Sequence, residues 1–335
     1  MSFRVSAVFF RAVAVAVAAV WAASVAHGAP ELDSRPYVHP ELARHIAPGI
    51  TIIPDPRVNY VPNIGLIEGS QAILVVDTGL GPENGRRVWD FARKLARGRL
   101  IYLTTTHFHP EHNFGAQAFS GKARILLNGL QARELADKGP GYIKLFSQFG
   151  PDVAEALQGT QITAADDTYS GERTLDLGGR KVVLRETPAH TLGDQIVWVP
   201  DAGVLFTGDL VENRFFPILP DSDSKGGRWI AVTRALSALQ PKTVVPGHGA
   251  VDDIGLIQTT EGYLSRVQQE VQEGVRRGIN QEQLTRDLGP RLKALHPDWD
   301  NAVFIPYEIA IFYAEATGKP IRLPPLETEL KRPVT

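Results

Sequence analysis

Short apolar runs separated by turn-forming residues dominate the chain between residues 50 and 250. Runs rich in Val, Ile and Leu and bounded by Gly, Pro, Asn or Asp are typical of strands. The predicted strands are Ile50–Ile53, Asn63–Glu68, Ala72–Asp77, Leu100–Thr105, Arg173–Leu177, Lys181–Glu186, Gln195–Val199, Val204–Thr207 and Thr243–Pro246. Helical spacing of apolar residues predicts helices over Glu83–Arg97 and Trp229–Leu239. This β-α-β rhythm predicts an α/β protein.

The pattern changes after about Leu256. Apolar residues recur every three or four positions from Leu264 to Ile279, and a second helical stretch covers Pro306–Thr317. We therefore predict a catalytic domain over residues 29–255 and a helical C-terminal extension over residues 256–335. A single apolar face is typical of a surface helix, so packing against the core is favoured over recruitment of a partner.

The N-terminus has the features of a secretory signal peptide over residues 1–28. Arg4 and Arg11 precede an apolar stretch from Ala12 to Val25, and small residues surround the predicted cleavage point after Gly28. The alternative, a membrane anchor, is disfavoured because a helix needs about 20 apolar residues to span a bilayer. The mature protein is therefore expected in the periplasm, with full secretion as the other outcome, and without membrane attachment.

Composition limits the classes of ligand. The formal net charge of −2 becomes −4 once residues 1–28 are removed, which argues against nucleic acid and anionic membranes as partners and leaves a small-molecule substrate. The chain contains no cysteine, so disulfides and thiolate ligands are excluded. Any bound metal must be held by nitrogen and oxygen.

A histidine-rich segment, Thr104–Asn113, follows one predicted strand. Its histidines stand at i, i+2 and i+5, as His107, His109 and His112. In an extended segment, i and i+2 point to the same side and can bind one ion. Pro110 is a favourable first residue of a helix, which would direct Glu111 and His112 to a neighbouring position. The alternative is a chance cluster of surface histidines.

Three further segments place chemically reactive residues just beyond predicted strand ends. They are Pro188–Asp194 with His190, Phe206–Leu210 with Asp209, and Val245–Gly249 with His248. In layered α/β proteins, this edge of the sheet is where ligands bind. Any one of these segments alone would carry little weight, but their order together with the histidine segment indicates a metal site.

This series of motifs, from about Ile64 to Gly249, resembles the metallo-β-lactamase superfamily. The resemblance implies a four-layer αβ/βα sandwich with metals at the edge of two sheets. It also implies that His107, His109 and His190 hold a first zinc, that His112 and His248 hold a second, and that Asp209 bridges the two. Asp77, in an Asp-Thr-Gly segment, would support the site without binding metal, although an Asp that only caps a turn is the alternative.

Glu111 departs from the family pattern, which has Asp at this position. The additional methylene moves the carboxylate by roughly 1.5 Å, whereas metal–ligand distances tolerate only about 0.2 Å. Glu111 is predicted to ligate or orient the second metal after a shift of its loop. The alternative is a weakened second site.

The predicted activity is hydrolysis by a metal-bound hydroxide, with Glu111 or Asp209 passing a proton. Two zinc ions are expected, although iron or manganese would accept the same ligands. A β-lactam amide is the first expected substrate because the chain is predicted to be exported. An ester, thioester, lactone or phosphoester is the alternative, because Gly208–Asn213 and the helical tail resemble periplasmic relatives linked to quinoprotein or sulfur-oxidation systems.

Two other classes are weaker expectations. A mononuclear-iron enzyme resembling the persulfide dioxygenases is one, and metal analysis would distinguish it from a zinc hydrolase. The two-iron branch of the superfamily has an acidic residue where this chain has His109, which favours zinc over iron. A non-catalytic metal-binding protein would follow only if Glu111 disabled the site. The segment Asn213–Arg228 is expected to form the pocket wall and to act as a lid. His39, His45 and His296 are expected to be surface or packing residues.

Overall fold

A computed structural model describes residues 34–221 and 223–325. The predicted signal peptide and the last ten residues of the predicted extension lie outside these ranges. The first sheet has seven strands in chain order, and its last four strands are parallel to one another. They are β1 (Arg44–Ala47), β2 (Ile50–Ile53), β3 (Ile64–Glu68), β4 (Ala72–Val76), β5 (Leu100–Thr104), β6 (Arg124–Asn128) and β7 (Asp167–Tyr169).

A second sheet of five strands follows. Its order is β12-β11-β10-β9-β8, with a parallel pair between β11 and β12 and antiparallel pairs elsewhere. The strands are β8 (Glu172–Asp176), β9 (Lys181–Glu186), β10 (Gln195–Val199), β11 (Val204–Gly208) and β12 (Thr243–Pro246).

Helices lie outside both sheets. They are α1 (Gly81–Ala96), α2 (Pro110–Asn113), α3 (Gly129–Phe146), α4 (Pro151–Ala156), α5 (Gly226–Ser237), α6 (Gly255–Arg276), α7 (Gln281–Leu295) and α8 (Ile305–Thr317). No helix within residues 34–221 and 223–325 combines the length and hydropathy that crossing a bilayer requires.

Three apolar clusters separate four layers of structure. One lies between the first sheet and α1, a second lies between the two sheets, and a third lies between the second sheet and helices α5 to α8. The predicted αβ/βα sandwich is confirmed. The C-terminal helices share the third cluster with β10, β11 and β12.

Alternation along the central strands explains the layering. In β4, Ile73 and Val75 face the helices, whereas Leu74 and Val76 face the other sheet. Every residue of β4 is buried, as is typical of a strand covered on both faces. Such strands appear in the sequence as unbroken apolar runs. All nine predicted strands are present, and their ends lie within two residues of the predicted bounds.

Several elements were not predicted. Among the strands, β1, β6 and β7 are missing from the prediction, as are helices α3, α4 and α7. The longer of these helices contain internal prolines, Pro140 in α3 and Pro290 in α7, next to glycines that normally indicate a break. The predicted wall segment Asn213–Arg228 is also shorter than expected, because α5 already begins at Gly226.

Candidate metal centre

The predicted site residues converge on the edge where the two sheets meet. Asp77 follows β4 directly, His107 and His109 follow β5, and α2 then carries Glu111 and His112. In the second sheet, the chain places three further residues after strand ends: His190 in the β9–β10 turn, Asp209 after β11 and His248 after β12. All of these side chains are buried.

A first group of ligand atoms comes from His107, His109, His190 and Asp209, which lie within 4.8 Å of one another. The His190 Nε2 and the His109 Nδ1 are 3.1 Å apart. Two nitrogens bound to one tetrahedral zinc at about 2.0–2.1 Å would be roughly 3.3 Å apart. The spacing of these ring nitrogens therefore suits two ligands of one ion.

A second group comprises Glu111, His112, Asp209 and His248, again within 4.8 Å. Asp209 belongs to both groups because its two oxygens face different sides. Its Oδ1 lies 3.2 Å from the His112 Nε2 and 3.9 Å from the His248 Nε2, and its Oδ2 lies 3.6 Å from the His107 Nε2. This arrangement can bridge two ions.

Unpaired polar atoms test whether these residues fit a metal. Buried polar atoms normally have hydrogen-bonding partners, because burial without one costs about 1–3 kcal/mol. Several buried atoms of this centre have none among the described residues: His107 Nε2, His112 Nε2, Glu111 Oε2 and Asp209 Oδ1. All of these atoms belong to residues of the two groups, so the residues present fit cation binding.

The electrostatics of the centre follow from burial and mutual contact. Burial, with neighbouring imidazoles, lowers the pKa of His107 and His109 well below the usual range, which favours the neutral form that a metal requires. Burial alone would raise the pKa of Asp209, but His112, His107 and His248 lower it well below the usual carboxyl value. Asp209 is therefore ionised.

Asp77 contacts the site without belonging to either group. Its Oδ2 lies 2.9 Å from the His112 Nδ1, and its carboxylate accepts hydrogen bonds from the backbone N–H and the hydroxyl of Thr106 (2.6 and 3.0 Å). Because Nδ1 faces Asp77, Nε2 of the same ring faces Asp209. Asp77 adopts the left-handed backbone conformation (φ 68°), which Asp tolerates better than most residues.

His190 is held by the segment between β11 and α5. Its Nδ1 lies 2.6 Å from the Ile218 carbonyl oxygen, which leaves Nε2 for the centre. The carboxylate of Asp194 accepts the backbone N–H groups of Ala189, His190 and Thr191 and so forms the turn. Burial raises the pKa of Asp194 to about 6.

The sequence profile of the metallo-beta-lactamase superfamily matches residues 58–248, more than half of the chain and the whole region that supplies these side chains. The chain belongs to the metallo-beta-lactamase superfamily. It therefore has the fold and the His/Asp cluster of a metallo-hydrolase of this superfamily, as the sequence motifs predicted.

Curated relatives within the superfamily differ in their activities. The chain is 24% identical over 217 residues to a linear primary-alkylsulfatase of Pseudomonas sp., covering 55% of this chain and 40% of the relative. It is 28% identical over 166 residues to an acyl-coenzyme A thioesterase of Bos taurus, covering 44% and 58%. The matches thus span about half the length of these relatives.

A solved superfamily member supports the fold. A metallo-beta-lactamase from Pontibacter korlensis superposes with a TM-score of 0.55 at 18% identity, covering 67% of this chain and 98% of that one. At this identity, the likeness concerns the fold alone.

Glu111 is the residue that departs from the superfamily pattern. The structure places its carboxylate with His112, Asp209 and His248, and burial raises its pKa. The α2 turn begins at Pro110, so Glu111 occupies the first turn and faces the second group. The longer side chain is accommodated without being directed away from the centre.

Two carboxylates near the centre were not predicted. Glu212 is buried, its Oε1 has no hydrogen-bonding partner among the described residues, and burial together with Asp209 raises its pKa well above the usual value. Asp55 lies with Oδ2 3.9 Å from the His248 Nδ1. Glu212 stands three residues after Asp209. Its position shortly after the end of β11 is therefore the sequence feature that could have identified it. Asp55 follows β2 and carried no motif.

An aromatic wall, defined here as Tyr60, Phe108, Tyr142, Phe146 and Phe149, extends from the first group. Tyr142 stacks on the His109 ring with centroids 5.4 Å apart, and Phe108 lies 5.0 Å from Tyr142. Phe146 continues the wall at 5.9 Å from Tyr142 and 5.7 Å from Tyr60. Much of the wall lies on α3 and just after it, a region that the sequence did not predict to be a helix.

The remaining histidines of residues 34–325 lie outside both groups, as expected. His39 pairs with Glu41, His45 contacts Thr51, and His296 stacks on Trp299. A third, acidic group, Glu134, Asp221 and Asp223, surrounds the Lys138 ammonium at 2.7–3.2 Å and so already shares a cation.

Proposed function

We propose that this protein is a zinc-dependent hydrolase that cleaves carboxylic esters or thioesters with an apolar acyl group. The observation that supports the substrate class is the partly exposed portion of the aromatic wall, Tyr60, Tyr142 and Phe149. Because Tyr142 stacks on the ligand-group residue His109, these rings offer apolar surface beside the predicted reacting centre. An acyl chain packed on this wall would place its carbonyl carbon at the centre.

The proposed metal positions follow the two groups of ligand atoms. His107, His109 and His190 would hold the first zinc, His112, His248 and Glu111 the second, and Asp209 both. Zinc in these positions would lower the pKa of a bound water to about 7 and polarise the substrate carbonyl. Iron or manganese stays the alternative for the same donors.

The chain's own residues would orient the groups and move the proton. Asp77 and the Ile218 carbonyl select the ring nitrogens that face the centre. One carboxylate oxygen of Glu111 would bind the second zinc, and the other would accept the proton that the attacking water loses. Burial of every group in the cluster excludes bulk water and strengthens these interactions.

β-Lactam cleavage is the second candidate. The fold likeness to a β-lactamase and the predicted export support it.

An exported protein would begin at Ala29 after cleavage. N-terminal sequencing of the protein from a periplasmic fraction tests this prediction, and an uncleaved N-terminus or a cytoplasmic protein would contradict it.

The deciding experiment combines metal analysis with a substrate panel. Protein purified without chelators is analysed for zinc, iron and manganese and then assayed with p-nitrophenyl octanoate, an octanoyl thioester, nitrocefin, a lactone and bis(p-nitrophenyl) phosphate. We expect about two zinc ions per chain and the highest kcat/KM for the octanoyl substrates. Faster turnover of nitrocefin would favour the second candidate. A single iron with oxygen uptake would contradict hydrolysis altogether.

A further inference from the structure

A cavity of about 200 Å³, lined in part by charged and amide side chains, lies next to the segment that carries His248. It is formed by the β2–β3 connection, the segment after Asp209 and the turn after His248. The side chains that matter are Arg44, Asp55, Arg57, Asn63, Asn213 and Arg214. We call this cavity the arginine pocket. Apart from Asp55, which lies behind His248, none of these residues has a place in the centre described above.

Arginines outnumber carboxylates among the residues that line the arginine pocket. Asp55 is the one carboxylate among the lining residues, and its oxygens already accept backbone N–H groups from Gly249 at 2.7 Å and from Arg57 at 2.6 Å. The three guanidinium groups are the exposed charges of the lining. An anion entering the pocket would therefore meet donors.

Carboxylates outside the pocket hold two of these arginines in place. Arg57 pairs with Asp300, and Arg214 pairs with Asp298 at 2.6 Å, both acceptors lying between α7 and α8. All four side chains are at least 41% exposed, so the pairs contribute little energy by themselves. Each guanidinium has five N–H groups, so donors remain free. Arg44 has no ion-pair partner among the described residues.

The pocket borders the His248 side of the metal centre. The Arg57 guanidinium lies 4.9 Å from the centroid of the Phe215 ring, which in turn lies 5.9 Å from the His248 ring. Asn213 donates its backbone N–H to the His248 carbonyl at 3.0 Å. The aromatic wall contacts His109 instead. A substrate between them would have an apolar end and a polar end.

We propose that the arginine pocket is an anion subsite that binds a carboxylate or phosphate group on the leaving-group portion of the ester or thioester. This proposal rests on the proposed function, because it assigns the two ends of the same substrate. Guanidinium groups suit such anions because their planar fork can donate two parallel hydrogen bonds to two oxygens. The volume equals that of several waters, which fits one small anionic group.

The experiment uses matched thioesters. Octanoyl thioesters of 3-mercaptopropionate and of 3-mercaptopropionamide differ only in the negative charge of the leaving group. With the zinc-loaded parent protein, we expect a KM about tenfold lower for the anionic thioester, since a charged hydrogen bond to guanidinium is worth about that factor. The double variant Arg57→Gln/Arg214→Gln should remove this difference by raising KM for the anionic thioester alone, with kcat and the neutral thioester unaffected.

The control variant is Arg234→Gln, an exposed arginine on α5 that pairs with Glu261 and lies outside the pocket lining. It should preserve the tenfold difference. Added phosphate distinguishes the source of the anion: if the pocket binds free anions as effectors, phosphate should change kcat or KM for the neutral thioester, and this outcome would contradict a leaving-group subsite.

Failure of the subsite and failure of the function give different results. Hydrolysis of both thioesters with equal KM in parent and variant would overturn the subsite and leave the hydrolase intact. If neither thioester is hydrolysed, the proposed function fails. In that case, calorimetric binding of the thioether analogues, in which a methylene separates carbonyl and sulfur, tests the pocket directly. Equal affinity for acid and amide would then overturn the subsite as well.

Discussion

At the scale of single residues, three imidazoles of the centre are held by their second ring nitrogens. The Nδ1 atoms of His107, His112 and His190 contact the Thr106 hydroxyl, the Asp77 carboxylate and the Ile218 carbonyl, respectively. These contacts select Nε2 as the atom that faces Asp209. Such partners restrict ring orientation before any ion binds, which lowers the entropic cost of coordination.

Glu111 provides the residue-scale prediction. Its carboxylate reaches the second group from the first turn of α2, so the backbone is adapted to the longer side chain. We expect Glu111→Asp to withdraw the carboxylate by roughly 1.5 Å and to weaken zinc binding at the second position by about tenfold or more. Calorimetric zinc titration measures this.

The matched variant is Glu111→Gln, which keeps the length and removes the charge. It should weaken the second position as well and should also lower kcat, because the amide cannot accept a proton. If Glu111→Asp bound zinc as tightly as the parent, the superfamily's usual Asp would suit this backbone equally. The proposed adaptation to Glu would then be wrong.

At the scale of elements, the segment between β11 and α5 is fastened to α3. The Lys138 ammonium of α3 lies 3.2 Å from Asp221 and 2.7 Å from Asp223, and Tyr142 donates to Asp221 at 2.5 Å. Through Ile218, the same segment positions His190. These contacts favour a segment that is fixed in place, whereas the sequence predicted that Asn213–Arg228 acts as a lid.

Lys138→Met tests the anchor. The variant keeps the apolar stem but leaves Glu134, Asp221 and Asp223 without their shared cation. Lys138 is 29% exposed, so solvent screening limits the expected loss of unfolding free energy to about 1–2 kcal/mol. Limited proteolysis should cut residues 212–225 faster, and zinc binding at the first position should weaken.

The control for this test is Lys122→Met, because Lys122 is an exposed lysine whose Nζ donates to the Ala118 carbonyl, away from the segment. It should leave proteolysis and zinc binding unchanged. Equal cleavage of residues 212–225 in the parent and in Lys138→Met would show that the Lys138 contacts do not stabilise the segment between β11 and α5.

A buried carboxyl between α6 and α8 predicts a pH dependence of stability. Burial raises the pKa of Glu308 to about 8, and the Tyr263 hydroxyl donates to its Oε2 at 2.6 Å. The unfolded chain has the ordinary value of 4.5, so the folded protein holds this proton more tightly. This contribution to the unfolding free energy is complete below about pH 4.5. It decreases by about 1.4 kcal/mol per pH unit as the pH rises from there to about 8, the folded-state pKa.

Glu308→Gln keeps the shape and removes the titration. The unfolding free energy is measured by urea titrations at pH 5 to 8. That of the variant should increase relative to that of the parent as pH rises. The exposed Glu155→Gln on α4 serves as the control and should follow the parent. A difference between Glu308→Gln and parent that does not change with pH would contradict the raised pKa.

At the scale of the whole molecule, the centre joins two halves that each contribute one sheet. His107, His109 and His112 come from the first sheet, whereas His190, Asp209 and His248 come from the second. Ions bound between them cross-link the halves across the inter-sheet cluster. Metal binding is therefore expected to stabilise the entire fold.

Thermal unfolding with and without zinc tests this. Free zinc at a hundred times its dissociation constant should stabilise the native state by about 2.7 kcal/mol per site, which corresponds to several degrees in Tm. Chelation should reverse the gain. His45→Ala, outside both groups, should retain the zinc response, and His190→Ala should lose much of it. If the Tm of the parent protein did not change when zinc is added, this cross-link would be ruled out.

Much of this architecture was predictable from the sequence because burial on both faces leaves a direct trace. Strands such as β4 are apolar throughout, and the ligand residues follow such strands in an order typical of the superfamily. The strand pattern predicted an α/β protein, and the resemblance of the motif order to the superfamily implied the two-sheet sandwich and the candidate ligand residues. The prolines within α3 and α7 hid these helices, since local signals there oppose the tertiary packing that stabilises them.

The sequence by itself determined the order of the strands' apolar runs and the chemical identity of the ligand set, because both depend on residue type and local spacing. Tertiary structure alone decided which oxygen of Asp209 faces which group, that Tyr142 stacks on His109, and that Arg57 lies beside Phe215. These pairs join residues far apart in the chain. The Asp209 and Arg57 contacts arise only when the two sheets pack face to face, and the Tyr142 contact arises only when α3 packs beside the segment after β5. No local pattern encodes these distances.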